Sequence, residues 1–171
     1  DPAVVHAILD EALVCHVGFE GVGGPVVVPT IHARVADTLY LHGSPASRLL
    51  RTLATGVDVC VTATLVDGLV LAKSWFHHSL NYRSVMVFGR ATAVTDQSAK
   101  TEALRSLVDH VRRDRSLASR PPSDKELAGT LVLALGLEEC SAKSRTGPPI
   151  DDPADAELPS STGVVPVSLP R

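Results

Sequence analysis

A small, mainly β fold carrying a few helices is the class this sequence predicts, on three observations. Runs rich in β-branched and apolar residues, such as "PVVVPTI", "VDVCVTATLV" and "GTLVLALGL", recur along the chain. Short turn signals, rather than long helices, separate most of them, notably "GVGG" and Asp67-Gly68. Dinucleotide folds are excluded, because no G-x-G-x-x-G joins a strand to a helix and no Walker-type glycine loop with its lysine is present. About six strands with helices at the start, after the third strand and late in the chain describe a small β-barrel with helical decoration.

Asp1 caps a first helix, with Pro2 at its first position and Val5, Ile8, Leu9 and Ala12 at helical spacing. "LVCHVGFE" follows as a strand, and "PVVVPTIHARVADTLYLHG" reads as two more, joined near Ala36-Asp37. "VDVCVTATLVDGLVLAKSWF" reads as a β-hairpin turning at Asp67-Gly68. "YRSVMVFGRATAVTD" supplies a strand, and its imperfect alternation suits a sheet curling into a barrel. Ala103, Leu104, Leu107, Val108 and Val111 mark an amphipathic helix over residues 97–112, capped by Asp96. A polar loop with a short helical end precedes "GTLVLALGLEECSAKS", which returns to strand, with Glu138 and Glu139 in a solvated turn. Residues 1–145 read as one domain. Residues 146–171, proline-rich and acidic, read as a linker or an arm lying on a partner rather than a second core.

Net charge is −3, with a pI near 6.2, so no global basic field supports nucleic-acid binding. The apolar runs fall far short of the roughly 20 residues that cross a bilayer, and no secretory signal pattern opens the chain, so a cytoplasmic protein away from membranes is expected. Cys15, Cys60 and Cys140 are odd in number and set in apolar surroundings, which suits reduced structural thiols better than a disulfide framework or a zinc site.

The stretch "LYLHGSPASRLLRTL" constrains the chemistry most tightly. Ser44 is placed to cap a helix whose first turn Pro45 pre-sets, leaving the amides of Ala46, Ser47 and Arg48 without intrahelical partners. Leu49, Leu50 and Leu53 share one face, while Ser44, Ser47, Arg48 and Arg51 cluster on the other. Hydroxyls and guanidinium groups beside a positive helix end suit a phosphate monoester. An ordinary strand-to-helix connection with solvated arginines accounts for the same residues.

Together "CHVGF", "PTIHARVADTLYLHGS", "FHHSLNYRSVMVFG" and "SAKSRTGPP" resemble the pyridoxamine 5'-phosphate oxidase-like split barrels. The likeness is to the branch of flavin-nucleotide-binding and nitroimidazole-resistance proteins. It implies a homodimeric, six-stranded FMN-binding split β-barrel with each flavin in a cleft between subunits. Ser47 and Arg48, helped by Arg51, would hold the phosphate, and His42, Gly43 and Ser44 would line the nearby pocket. Val28, Pro29, Thr30 and Ile31 would pass beside the ring. Arg83 and Ser84 match an arginine and a polar position of the later strand, although the oxidases carry glutamine where Ser84 stands, too short a side chain to make the same contact. The oxidases' C-terminal pyridoxal-phosphate arginines have no match, which argues against pyridoxamine phosphate oxidation.

The seven histidines include the pair His77-His78 between two strands. Strand neighbours face opposite ways, so only one of the pair can enter a given pocket. Exposed or structural histidines, contact with flavin or substrate, and axial haem ligation all remain open for them; no metal site is otherwise expected. His16 and His32 read as core residues, His6 and His110 as surface residues. Lys143 and Arg145 follow a strand and reach an anionic cofactor or solvent equally well. Trp75 and Phe76 suit core or dimer packing, or stacking on a flavin at a cleft edge.

No nucleophile, base and orienting group can be read from this order, so no catalytic residue is assigned; that suits a protein whose cofactor does the chemistry. The expected activity is that of an FMN-dependent oxidoreductase drawing electrons from NADH or NADPH and acting on a small organic substrate. A haem-binding protein, a deazaflavin-dependent reductase and a non-catalytic flavin carrier are the alternatives.

Overall fold

A computed structural model describes residues 1–168. The chain runs α1 (Pro2–Glu11), β1 (Cys15–Gly21), β2 (Gly24–Thr30), β3 (Ala33–Val35), β4 (Thr38–Gly43), α2 (Arg48–Leu53), β5 (Asp58–Leu71) and β6 (Ser79–Arg90). It continues with β7 (Thr92–Ala93), α3 (Gln97–Val111), α4 (Asp124–Ala128), β8 (Leu131–Gly136), β9 (Glu139–Arg145) and β10 (Gly163–Pro166). The strands form two antiparallel sheets, not a closed barrel. The larger is ordered β2-β1-β5-β6-β9, with β10 also on β5, and the smaller is β3-β4-β8-β7. The expected strand number is therefore too low: ten are present among the described residues, because several sequence runs each break into two strands that enter different sheets.

One core fills the space between the sheets. Val17, Val61, Val85 and Val87 enter from the larger sheet, Leu39, Leu41, Leu133 and Leu135 from the smaller. Ile8 and Leu9 of α1 and Leu50 and Leu53 of α2 close it off. Each fully buried aliphatic side chain contributes about 1.5–3 kcal/mol. The caps of the helices follow the sequence: the Asp1 carboxylate accepts from the Ala3 amide at 2.9 Å, and that of Asp96 from the Ala99 amide at 2.7 Å. Helix α3 packs on the outer face of the smaller sheet, against β3, β4 and β8.

Asp67-Gly68 does not turn a hairpin. β5 runs straight through it for 14 residues and pairs with β6, Val66 opposite Tyr82 and Gly68 opposite Asn81, leaving Asp67 as the extra residue of a bulge. Two interactions override the turn signal. The Asp67 carboxylate accepts from Arg83 Nε at 2.9 Å and Nη2 at 2.6 Å, while Glu11 of α1 takes Arg83 Nη1 at 2.7 Å. Strand β10 lies so close that a Cβ on Gly68 would sit 2.7 Å from Val164 Cγ1 and 3.2 Å from the Val165 carbonyl oxygen. The proline-rich arm thus folds back on its own sheet, aided by Asp151, whose carboxylate accepts from the Lys73 amide at 2.7 Å. The arm's residues 169–171 lie outside the described residues.

Gly68→Ala should displace β10, costing about 1–3 kcal/mol as overpacking does. Chemical denaturation would measure the loss, and hydrogen exchange at Val164 and Val165 should rise with it; wild-type values for both would mean that the bulge tolerates a methyl group.

Candidate functional site

Strand β4 ends in His42 and Gly43, and residues 44–47 form a tight turn closed by the Ser47 amide donating to the Ser44 carbonyl at 2.9 Å. Ser44 Oγ accepts from the Ala46 amide at 3.2 Å, so Ser44 stabilises the turn instead of capping the helix. The cap position belongs to Ser47, and α2 begins only at Arg48. The sequence suggested Ser44 because Pro45 is a common first helical residue; here Pro45 serves the turn. A Cβ on Gly43 would stand 3.0 Å from Leu50 Cδ1, so a side chain there would press on the residue that anchors α2.

Leu50 and Leu53 anchor α2 in the core, which turns Arg48 and Arg51 out to solvent beside Ser44 and Ser47. Neither guanidinium has a hydrogen-bond or ion-pair partner among the described residues. Most others do: Arg34 meets Asp10, Arg83 meets Asp67 and Glu11, Arg90 meets Asp58, Arg120 meets Glu126. The turn therefore presents two uncommitted positive charges and two hydroxyls on one face, as an anion requires.

Ile31 and His42 form one wall of a cavity of about 700 Å³ whose opposite wall is α3 and the loop after it. Leu104, Leu107, Val108 and Val111 make that wall apolar. The sequence identified α3 as amphipathic but not what Val108 and Val111 do: they lie beyond the face that packs on the sheet and line the cavity. Burial lowers the pKa of His42, so its imidazole is neutral at pH 7, and its Nδ1 has no partner. The cavity holds Ile31 and His42 but not the rest of their run. Val28 packs on the core, Pro29 lies on the opposite, exposed face of β2, and Thr30 Oγ1 donates to the Ile31 carbonyl at 3.4 Å.

The remaining candidates are dispersed. Ser84 and Lys143 are cross-strand partners on the open face of the larger sheet, with Ser84 Oγ donating to the Lys143 carbonyl at 3.4 Å. Arg83, their neighbour, is held between the carboxylates of Asp67 and Glu11. His77 and His78 sit at the tip of the β5–β6 ribbon beside Trp75 and Phe76, which are 97% and 88% exposed. His78 Nδ1 bonds the Ser74 carbonyl at 2.8 Å, and the His77 ring meets Phe76 edge-on at 5.1 Å.

His32 is in the core, whereas His16, expected there, is exposed. His110 is not a free surface residue: Nε2 bonds the Ala12 carbonyl at 2.8 Å and its ring lies 4.8 Å from that of His32. His6 is half-buried against Asp37 at 3.0 Å. Among the described residues no group of three or more His, Cys, Asp or Glu is placed to hold a metal ion, all three cysteines are free thiols, and no helix is long and apolar enough to cross a membrane.

A family profile described as pyridoxamine 5'-phosphate oxidase matches residues 1–144. The flavocytochrome Anf3 from Azotobacter vinelandii is 42% identical over 100% of this chain and 79% of its own, with a TM-score of 0.90. The FAD and heme binding protein from Mycobacterium smegmatis is 36% identical over 98% of this chain and 82% of its own, with a TM-score of 0.91. A putative 5-nitroimidazole antibiotic resistance protein from Bacteroides thetaiotaomicron is 26% identical over 83% of this chain and 82% of its own, with a TM-score of 0.70. No functionally curated protein matches the sequence.

Burial pushes the His32 pKa down from 6.5 to about 4, opposed by its bond to the Leu9 carbonyl and reinforced by His110. Between those values the unfolded chain binds the proton and the folded one does not, so stability falls as pH drops from about 6.5 toward 4, by on the order of 2–3 kcal/mol. His42 acts in the same direction. In His32→Gln, which keeps a donor for Leu9, urea midpoints at pH 7.5 and 5 should lie closer together than in wild type; an unaltered gap would assign it elsewhere.

Proposed function

The chain belongs to the pyridoxamine 5'-phosphate oxidase family, and we propose that it is a flavin-dependent oxidoreductase whose flavin phosphate rests on the turn at residues 44–51. The observation that carries this reading is the pair of unpartnered guanidinium groups, Arg48 and Arg51, beside the hydroxyls of Ser44 and Ser47. Those residues would hold the phosphate, beside the strand end that carries His42 and Gly43. The apolar α3 wall excludes water from the cavity beside this turn. A bound flavin would accept hydride from a nicotinamide donor and release the electrons to an acceptor. FAD is favoured over the FMN expected from the sequence, because the Mycobacterium smegmatis relative is named for FAD.

Haem is proposed as a second group, since both of the more similar relatives are named as a flavocytochrome or a heme-binding protein. The cavity residues fit it: an apolar space in the size range of ligand pockets, one neutral imidazole and arginines around the opening. His42 is the ligand this geometry supports. His77 and His78, the sequence candidates, do not line this cavity. Haem would carry single electrons.

A homodimer is proposed as well. The open face of the larger sheet leaves Val27, Val66, Met86 and Phe88 exposed, in line with the uncovered ribbon tip. Apolar side chains of this kind, set among polar ones such as Ser84 and Lys143, are what a second copy would cover.

Absorption of the purified protein, with the flavin released by denaturation and identified by chromatography, tests the cofactors directly: FAD and a Soret band are expected, and a colourless protein that takes up neither flavin nor haemin would end the reading. Arg48→Ala should weaken flavin binding by about 1.5–3 kcal/mol, the range for charge-assisted hydrogen bonds, in a calorimetric titration. His42→Ala should lose the Soret band while His77→Ala and His78→Ala retain it.

A further inference from the structure

Three arginines, Arg105, Arg115 and Arg120, line the cavity under α3, and two of them are already neutralised. Arg105 is paired with Glu102 one turn earlier on α3. Arg120 donates to Glu126 at 2.7 and 2.8 Å, and Glu126 also accepts from the Ser123 amide in the capping box of α4. This lock holds the Glu126 carboxyl well below the usual carboxylate range.

Arg115 has no such partner among the described residues, yet its backbone is fixed. Asp109 of α3 accepts from the Ser116 amide at 2.8 Å and from Ser116 Oγ at 2.7 Å, and the Arg115 amide donates to the Arg112 carbonyl at 3.1 Å. A rigid turn therefore presents one free guanidinium on a cavity lined by Ile31, Leu104, Leu107 and Val108. An apolar body fills such a space, and a carboxylate or comparable acid satisfies such a charge.

The geometry points to a second recognition site, in which Arg115 binds the acidic group of an apolar ligand lodged between α3 and the wall formed by Ile31 and His42. This rests on the reading of the adjoining turn as the flavin site, and it adds the chemical class of what the neighbouring cavity takes. The acid can come from two sources, a haem propionate or a free apolar carboxylic acid, and the recognition by Arg115 is the same for both.

The probe is 8-anilinonaphthalene-1-sulfonate, an apolar aromatic anion, set against N-phenyl-1-naphthylamine, its uncharged counterpart, with binding to the full chain followed by fluorescence. Arg115→Ala should raise the dissociation constant of the anionic probe about tenfold or more, and Arg115→Lys less, with the neutral probe unaffected. Arg113→Ala, a change at an exposed residue outside the cavity, should alter neither. Displacement of the anionic probe by one equivalent of haemin would identify the acid as a propionate; persistence of the probe on haemin-loaded protein would identify a free acid. Equal effects on both probes, no effect of Arg115→Ala, or no binding to the folded protein would overturn the proposal. Flavin affinity, read separately, should be lost in Arg48→Ala and kept in Arg115→Ala, so failure here is distinguishable from failure of the flavin site.

Discussion

A single core shared by two sheets is the constraint from which the rest of this molecule follows. Neither sheet can bury its apolar face alone, so the chain must pass repeatedly from one to the other. It does so at residues 31–32, 44–57, 91 and 137–138. Each passage breaks strand pairing and leaves backbone groups to be satisfied outside the ladders: at the last one the Leu137 amide donates to the Asp37 carbonyl at 3.0 Å. Alternation of side chains lapses at these places, and side chains gain directions that no regular strand provides. Ile31 stands at the first crossing, and the turn with Ser44, Ser47, Arg48 and Arg51 is the second. The candidate site lies at the seams because the seams are where the core ceases to dictate side-chain direction.

Charge is distributed by the same logic. Where an arginine braces the architecture it has a carboxylate, and the carboxylate responds: Arg83 holds the Asp67 carboxyl below its ordinary pKa, and Arg90 does the same to Asp58. Arg83 joins α1 to the bulge of β5 through two carboxylates, a partly buried geometry in which removing one partner leaves a charge poorly compensated. Arg48, Arg51 and Arg115 stand apart from this scheme. They sit on segments whose backbones are fixed by other means, two leucines in α2 and the Asp109 carboxylate at the turn after α3, so their positive charges are not needed for folding.

Much of the fold was legible because local signals and tertiary packing agree. The cap at Asp96, the apolar stripe of α3 and the β-rich runs all mean in the structure what they mean in the sequence. Asp67-Gly68 was misread because a turn signal is local, and Arg83, Glu11 and β10 act on it from 16, 56 and about 100 residues away. The family resemblance pointed to the turn at residues 44–51 as a candidate phosphate site, whereas strand alternation scattered several of its companions: Pro29 faces away from Ile31, and Ser84 faces away from Arg83. Histidine was the least legible residue type. Whether a ring is buried depends on what crosses above it, and the pairing of His32 with His110 joins a β2–β3 connection to a helix that no periodicity relates to it.

The placement of polar groups around the cavity decides what kind of ligand this pocket suits. An apolar wall beside the cavity weakens solvent screening, so a single uncommitted guanidinium there exerts a stronger pull on an acid than it would in open water. Were Arg105 and Arg120 also free, three like charges around one opening would repel each other and favour polyanions of any shape. Glu102 and Glu126 suppress that, leaving recognition to one charge and to the fit of an apolar body. Selectivity then follows from removing competing charges as much as from supplying the right one.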